Sequence, residues 1–126
     1  MKYLLLVHHN EGTFNKIPDA KRKEMLAESI QLCHQLDGKG QYIHASPLQP
    51  GATGIVVRVR NGKATVTDGP FAETKEQLAG YFLIEAQDRE DAVRIATLVP
   101  GARIGTVEVR PLREITGLPG EEKDRL

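Results

Sequence analysis

The sequence has very little of several features that would narrow its function. It contains one cysteine in 126 residues, so it cannot form an intramolecular disulfide and needs no oxidising compartment. Its 17 basic side chains equal its 17 acidic ones, which argues against the strongly basic surface of a general nucleic-acid binder. Tryptophan is absent and aromatic residues make up 5%. Apolar residues still make up 40%, which is too many for a wholly disordered chain.

Long hydrophobic runs are also missing. The apolar run 3–7 ends at His8 and His9, short of the roughly 7–15 residues in the core of a signal peptide. No stretch approaches the roughly twenty apolar residues of a spanning helix. We therefore expect a cytoplasmic protein with no membrane contact, in which this run is a buried first strand.

The remaining pattern predicts a short α+β domain. Asn61-Gly62 tolerates the positive φ angles of a two-residue type I′ turn and therefore predicts a hairpin. The predicted strands are 3–8, 41–45, 55–60, 63–67, 80–86 and 104–112, and the predicted helices are 21–36 and 88–98. Without the hairpin the order is βαββαβ, the ferredoxin-like plan. We predict one domain over 1–115 and a flexible tail over 116–126.

The first predicted helix has one apolar face, with Arg22 among the polar residues opposite it. That face contains Met25, Leu26, Ser29, Ile30, Cys33 and Leu36. Cys33 is expected to act as a small hydrophobe there. On the second helix the inward positions are Ala92, Val93, Ala96 and Val99.

Two strands are apolar on both faces. Leu4 and Leu6 alternate with apolar neighbours, and Tyr81 and Leu83 do the same. Two helices can cover only one face of a sheet, so the pattern predicts a second subunit on the other face, in a homodimer.

The segment 68–77 has structural content of its own. Asp68 can accept hydrogen bonds from backbone N–H groups and organise the turn that leaves the hairpin. Phe71 is expected to anchor the segment in the core. Thr74 and Gln77 fit a capping box, which predicts a single helical turn before the next strand.

This segment resembles the signature of the DGPF proteins, within the wider YCII-related family. The motif residues are Asp68, Gly69, Pro70, Phe71, Glu73, Thr74 and Lys75. The similarity extends over about 1–114, through stretches such as 48–50, 57–63, 80–84 and 107–111. The resemblance implies a dimeric α+β barrel of ferredoxin-like subunits. Genes of this type commonly lie beside alternative sigma factors, so it also suggests a stress-related regulatory partner.

The resemblance does not establish an enzyme. Wider YCII-related proteins are suspected of acid–base catalysis by a His near the start of the first helix and an Asp before the last strand. Neither 20–25 nor 98–102 contains the matching residue, so this pair of residues cannot be transferred.

Other chemistry can be argued from single residues. His8 or His9 at a strand end would form a proton-transfer pair with Asp68 if the two segments met; solvated side chains are the alternative. Adjacent His residues on a strand point to opposite faces, and no Cys or His spacing indicates a metal site. We expect neither metal nor cofactor.

Arginines on the strands are candidate ligand contacts. Arg58 and Arg110, with Asp68, are the predicted binding residues, because guanidinium groups hold carboxylates or phenolates by paired hydrogen bonds. Exposed ion pairs are the alternative. The leading hypothesis is a binding or accessory module for a small polar organic ligand. A cofactor-independent isomerase or lyase is the second, and a partner of a sigma factor or other regulator is the third.

Overall fold

The computed structural model describes residues 1–72 and 74–120. The strands are β1 (Lys2–His9), β2 (Tyr42–Pro47), β3 (Ile55–Arg60), β4 (Lys63–Asp68), β5 (Gln77–Glu85) and β6 (Thr106–Pro111), and the helices are α1 (Glu11–Asn15), α2 (Asp19–Gly38) and α3 (Arg89–Thr97). Short 3-10 turns lie at Gly51–Thr53 and Pro100–Arg103. Glu73 of the motif and residues 121–126 of the predicted tail lie outside the described residues.

Four strands form one antiparallel sheet in the order β2-β5-β1-β6. In β1, Leu5 is paired with Phe82 of β5 on one side and with Val109 of β6 on the other. The β1-α2-β2 and β5-α3-β6 connections link parallel strands that are separated by one strand of the sheet. The chain therefore has the predicted ferredoxin-like α+β fold, with the hairpin as an insertion.

The core lies between the helices and one face of this sheet. Every second residue of β1 and β5 points into it, as the period of a strand requires. Twelve hydrophobic residues are buried there: Tyr3, Leu5, Val7, Leu32, Leu36, Phe82, Ile84, Ala86, Ala92, Ile95, Ala96 and Val99. Val107 and Val109 of β6 pack against them.

The predicted helix faces were partly wrong. In α2, Leu26 and Ile30 were predicted to face inward but are half exposed, whereas Leu32, which was not on the predicted face, is buried beside the correctly predicted Leu36. The inward face follows positions 25, 29, 32 and 36, spaced three and four residues apart, so it lies to one side of the predicted face. In α3 the side chain of Asp88 accepts from the Asp91 N–H at 2.8 Å, as predicted for an N-cap.

A similar correction applies to α3. Val93 is 43% exposed, and Ile95 is fully buried in its place. Ile95 follows Ala92 by three residues and therefore lies on the same face of α3. Its larger side chain fills the space above the sheet.

The hairpin β3–β4 forms a separate two-stranded sheet. Asn61 and Gly62 have φ values of 52° and 75°, which confirms the predicted type I′ turn. Its apolar face carries Ile55, Val57, Val59 and Val66, which are 60–68% exposed.

The segment after the hairpin differs from its prediction. Phe71 is 77% exposed, so it does not anchor the core. Thr74 donates from its hydroxyl to the carbonyl of Glu76, and Gln77 begins β5. The described residues 74–76 contain bends and no helical turn.

Helix α1 was not predicted. Asn10 caps this helix by accepting from the Thr13 N–H at 2.8 Å. No helix within 1–72 or 74–120 is long and apolar enough to cross a bilayer.

Candidate functional site

A cavity of about 220 Å³ lies between α2 and the sheet. The end of β1, α1 and the 3-10 turn after α3 complete its walls. Most lining residues are apolar, and five of the exceptions are His9, Arg22, Ser29, Cys33 and Ser46. A concave, mainly apolar space with a few polar groups is the usual form of a small-molecule site.

Helix α2 supplies one wall through residues that share a face. Arg22, Met25, Ser29 and Cys33 follow one another at intervals of three or four residues, the spacing of one helical face. Leu26 and Ile30 also line the cavity and remain half exposed. They therefore form its outer rim.

Two of the polar groups on this wall are already satisfied or inert. The Ser29 hydroxyl donates to the Met25 carbonyl at 3.0 Å. Burial raises the pKa of the Cys33 thiol, so the thiol stays protonated at neutral pH and is a poor nucleophile. The structure agrees with the small-hydrophobe role predicted for Cys33.

His9 enters the cavity from the end of β1. Its ring stacks on Phe14 of α1, with 4.3 Å between centroids and 16° between planes. Burial lowers the pKa of His9, while the nearby carboxylates of Glu11 and Glu76 act in the opposite direction. The imidazole is therefore held neutral at pH 7, with one ring nitrogen able to accept a proton or a hydrogen bond.

Arg22 has an unusual environment at the same end of the cavity. Its guanidinium carbon lies 5.8 Å from the Phe14 centroid, and one terminal nitrogen lies 3.6 Å from Asp19 Oδ1. Within 1–72 and 74–120, Arg22 Nε is the one buried side-chain polar atom without a hydrogen-bond partner. This atom is shielded from the cavity, but the Arg22 side chain as a whole is 33% exposed and lines the cavity, so a bound acceptor would meet its terminal nitrogens.

Arg22 is the site residue that the sequence interpretation missed. It was assigned to the polar face, although it precedes Met25 by three residues and Ser29 by seven. That spacing places Arg22 on the cavity-lining face of α2, but its charge led to the prediction that it faces solvent.

The predicted catalytic residues lie apart. His8 and His9 point to opposite faces of the sheet, as expected for neighbours in a strand. His8 Nε2 lies 3.7 Å from Glu108 Oε1 on the face without helices. Asp68 is exposed at the end of β4, paired in the ladder with Ile55, and no contact joins it to either histidine among the residues described.

The predicted ligand-binding arginines do not line the cavity either. Arg58 extends over the exposed Phe71 ring, 5.8 Å from its centroid. Arg110 lies on β6 beside Glu108, with 3.6 Å between nitrogen and oxygen. In the described ranges no three His, Cys, Asp or Glu side chains are grouped to hold a metal ion.

The motif segment connects the hairpin to the end of β1. Glu11 Oε1 accepts from the Gly51 N–H at 2.7 Å, and the Glu11 N–H donates to Gln77 Oε1 at 3.0 Å. Asn10 donates from its amide to the Lys75 carbonyl at 2.8 Å. The Asp68 carboxylate makes no hydrogen bond with any described residue, so the contacts of this segment come from its backbone and its neighbours.

Gly69 makes the closest backbone approach in this segment. Its N–H donates to the Gly54 carbonyl at 2.6 Å. A Cβ there would lie 2.7 Å from the Gly51 oxygen and 2.8 Å from the Gly54 oxygen. Only glycine fits between these two carbonyls, which gives this position of the motif a structural reason.

Comparison with known proteins gives the family. A protein of Rhizobium meliloti (strain 1021), described as uncharacterized, is 29% identical over 114 residues, which are 89% of this chain and 92% of the relative. The narrower resemblance to DGPF proteins stays a prediction. The model of the YCII-related domain matches residues 1–116. Because this match spans nearly the whole chain, the protein belongs to the YCII-related family.

Proposed function

We propose that the protein is a binding or accessory module that holds a small organic ligand in the cavity beneath α2. The supporting observation is the cavity itself, about 220 Å³ of space with mainly apolar walls and with His9 and Arg22 both beside Phe14. Protein interiors are normally packed to the density of organic crystals. The apolar walls favour a ligand with an apolar body and one polar group over the small polar ligand predicted from the sequence.

A cavity-filling substitution tests this proposal. Ser29→Leu places a larger side chain in the cavity from α2, while Ala27→Leu makes a comparable change on the exposed side of the same helix. We expect small aromatic and branched aliphatic compounds to raise the melting temperature of the wild type and of Ala27→Leu, because binding to the folded state stabilises it. Ser29→Leu should lose that response. A response that Ser29→Leu retains in full would place binding elsewhere.

We also propose that the face of the sheet without helices is covered by a second copy of the chain. Leu4, Leu6, Tyr81 and Leu83 form an apolar centre there and are half-buried within one subunit. Beside them on β6, Glu108 and Arg110 supply both signs of charge. A two-fold axis brings identical patches together, and such a mixed patch can be complementary to itself.

The mass in solution tests the homodimer. Light scattering should give twice the 13.9 kDa of the chain. Leu83→Asp should reduce this mass to that of one chain, because a charge would be buried without a partner. Val93→Asp, on the exposed side of α3, is the matched control and should stay dimeric. A wild-type mass of one chain would contradict the proposal.

An acid–base enzyme is the second candidate, favoured by one observation. A neutral imidazole lies in the cavity beside the site of a bound ligand, where it is suited to accept a proton. If the bound ligand is converted, His9→Gln should abolish turnover and leave binding within a few-fold, while Asp68→Asn should change neither. Full turnover by His9→Gln would exclude His9 as the base. A regulatory partner remains a prediction.

A further inference from the structure

We infer that the ligand of this cavity is an organic acid, whose carboxylate binds the free edge of the Arg22 guanidinium while its compact apolar body fills the space beneath α2. This inference depends on the proposed function, since it names the chemical class of ligand for the same cavity.

The hydrogen-bonding state of Arg22 is the first support. A guanidinium has five N–H donors in a fixed planar fork. The contact with Asp19 Oδ1 is 3.6 Å long, well beyond the roughly 2.7–2.9 Å of a charge-assisted hydrogen bond. Nε itself is shielded from the cavity, but the side chain is 33% exposed, so its terminal nitrogens are the ones that a ligand would meet. A carboxylate matches the free fork because it accepts two parallel N–H bonds.

The charge around this end of the cavity is the second support. Asp19 is shared with Lys23, whose Nζ lies 3.2 Å from Asp19 Oδ2, so two cations face one exposed carboxylate. No Asp or Glu is among the described residues that line the cavity. The described cavity wall therefore carries a basic side chain and no acidic one, which favours an anion over a cation of the same shape.

The carboxylates that act on His9 are engaged elsewhere. Glu11 Oε1 accepts from the Gly51 N–H at 2.7 Å, and Glu76 Oε1 accepts from the Thr106 hydroxyl at 2.8 Å. Both keep their negative charge, but neither ion-pairs with Arg22 in the described ranges, so neither occupies the nitrogens that would hold the ligand.

The volume sets the size of the acid. A protein cavity of about 150 Å³ can hold benzene, and this one is about 220 Å³. A single ring with one small substituent therefore fits, as does a branched aliphatic chain of similar bulk. Benzoate, benzyl alcohol and benzylamine are suitable probes, because they share the ring and differ in charge.

The experiment is a ligand-observed NMR titration of the full chain with these three probes. We expect wild type to bind benzoate roughly tenfold or more tightly than benzyl alcohol, as hydrogen bonds to a charged group allow, and benzylamine most weakly. Arg22→Gln should reduce the benzoate affinity to that of benzyl alcohol and leave benzyl alcohol unchanged. Arg89→Gln, an exposed arginine at the start of α3, should behave as wild type.

Other outcomes separate this inference from the proposed function. Equal affinities for benzoate and benzyl alcohol in the wild type, or a benzoate preference that survives in Arg22→Gln, would overturn the carboxylate assignment and leave the cavity as a ligand site. Binding of none of the three probes would overturn both. If Arg22→Gln does not fold, Arg22→Lys keeps the charge without the fork and should still lose most of the preference.

Discussion

Strands β6 and β3 have similar alternating valines in opposite environments. Val107 and Val109 of β6 pack against the core beneath α3. Val57 and Val59 of β3 are about 60% exposed on the hairpin. Alternation therefore identifies the apolar face of a strand, while tertiary contacts decide whether that face is covered. The helix-covered side of the sheet holds the core and the cavity beneath α2, whereas the apolar face of the hairpin is exposed.

The largest difference between the two regions is expected when an isoleucine in each is replaced by alanine. Ile84 is fully buried and Ile55 is 68% exposed. Ile84→Ala should lower the free energy of unfolding by about 2–5 kcal/mol through lost burial and a residual cavity. Ile55→Ala should cost at most about 1 kcal/mol, from strand propensity. Urea unfolding at fixed protein concentration measures both.

Equal losses of stability for the two variants would contradict the exposure of Ile55. Such a result would mean that a second chain covers the hairpin in solution, and the loss in Ile55→Ala would then depend on protein concentration.

Gly69 tests how the hairpin is attached. Gly69→Ala should cost about 1–3 kcal/mol, because its new methyl group overlaps two backbone oxygens and overpacking carries this penalty. Gly38→Ala is the control, since a Cβ there meets nothing within 4 Å and alanine is the better helix residue by about 0.5–1 kcal/mol. Equal melting temperatures for wild type and Gly69→Ala would contradict the claim that only glycine fits at this position of the motif.

The pH dependence of stability tests the cavity side. The pKa of His9 is lowered from its ordinary value of 6.5 by burial, so below that pH the unfolded chain binds a proton that the folded chain resists. The free energy of unfolding that depends on a neutral His9 is therefore present in full above about pH 6.5. It is lost as the pH falls toward the lower pKa of His9 in the folded chain. His9→Gln should therefore lose less stability than wild type between pH 7 and pH 5, measured by urea midpoints. Parallel curves for the two proteins would contradict a half-buried, neutral imidazole at His9.

The smallest effect is expected at Asp68. Its carboxylate is exposed and unbonded in the described ranges, so Asp68→Asn should change the free energy of unfolding by less than about 0.5 kcal/mol and leave ligand affinity unchanged. A loss of several-fold in affinity would mean that Asp68 contributes to the ligand site, and that the site includes the hairpin end.

The sequence predicted the sheet well because its strands are short apolar runs bounded by clear breaks. The hairpin followed from Asn61-Gly62, and the N-terminus of α3 followed from Asp88. These features depend on neighbouring residues only, which is why one sequence was sufficient.

The site was predicted poorly for a physical reason. A polar side chain that lines a cavity has the spacing of a buried face, so Arg22 was wrongly assigned to solvent. Phe71 was wrongly assigned to the core because hydrophobicity alone does not show whether a side chain is covered. Which element covers which face depends on contacts between distant parts of the chain, as the closing of the cavity by α1 and α2 illustrates.

A titration that maps ligand binding onto the backbone amides tests most directly whether the site lies under α2. In a ¹⁵N amide titration with benzoate, we expect the amides of Ser29, Gly80 and Gly101, which line the cavity, to shift together with one dissociation constant. Shifts confined to Arg58, Asp68 and Arg110, with these cavity amides unchanged, would contradict the account.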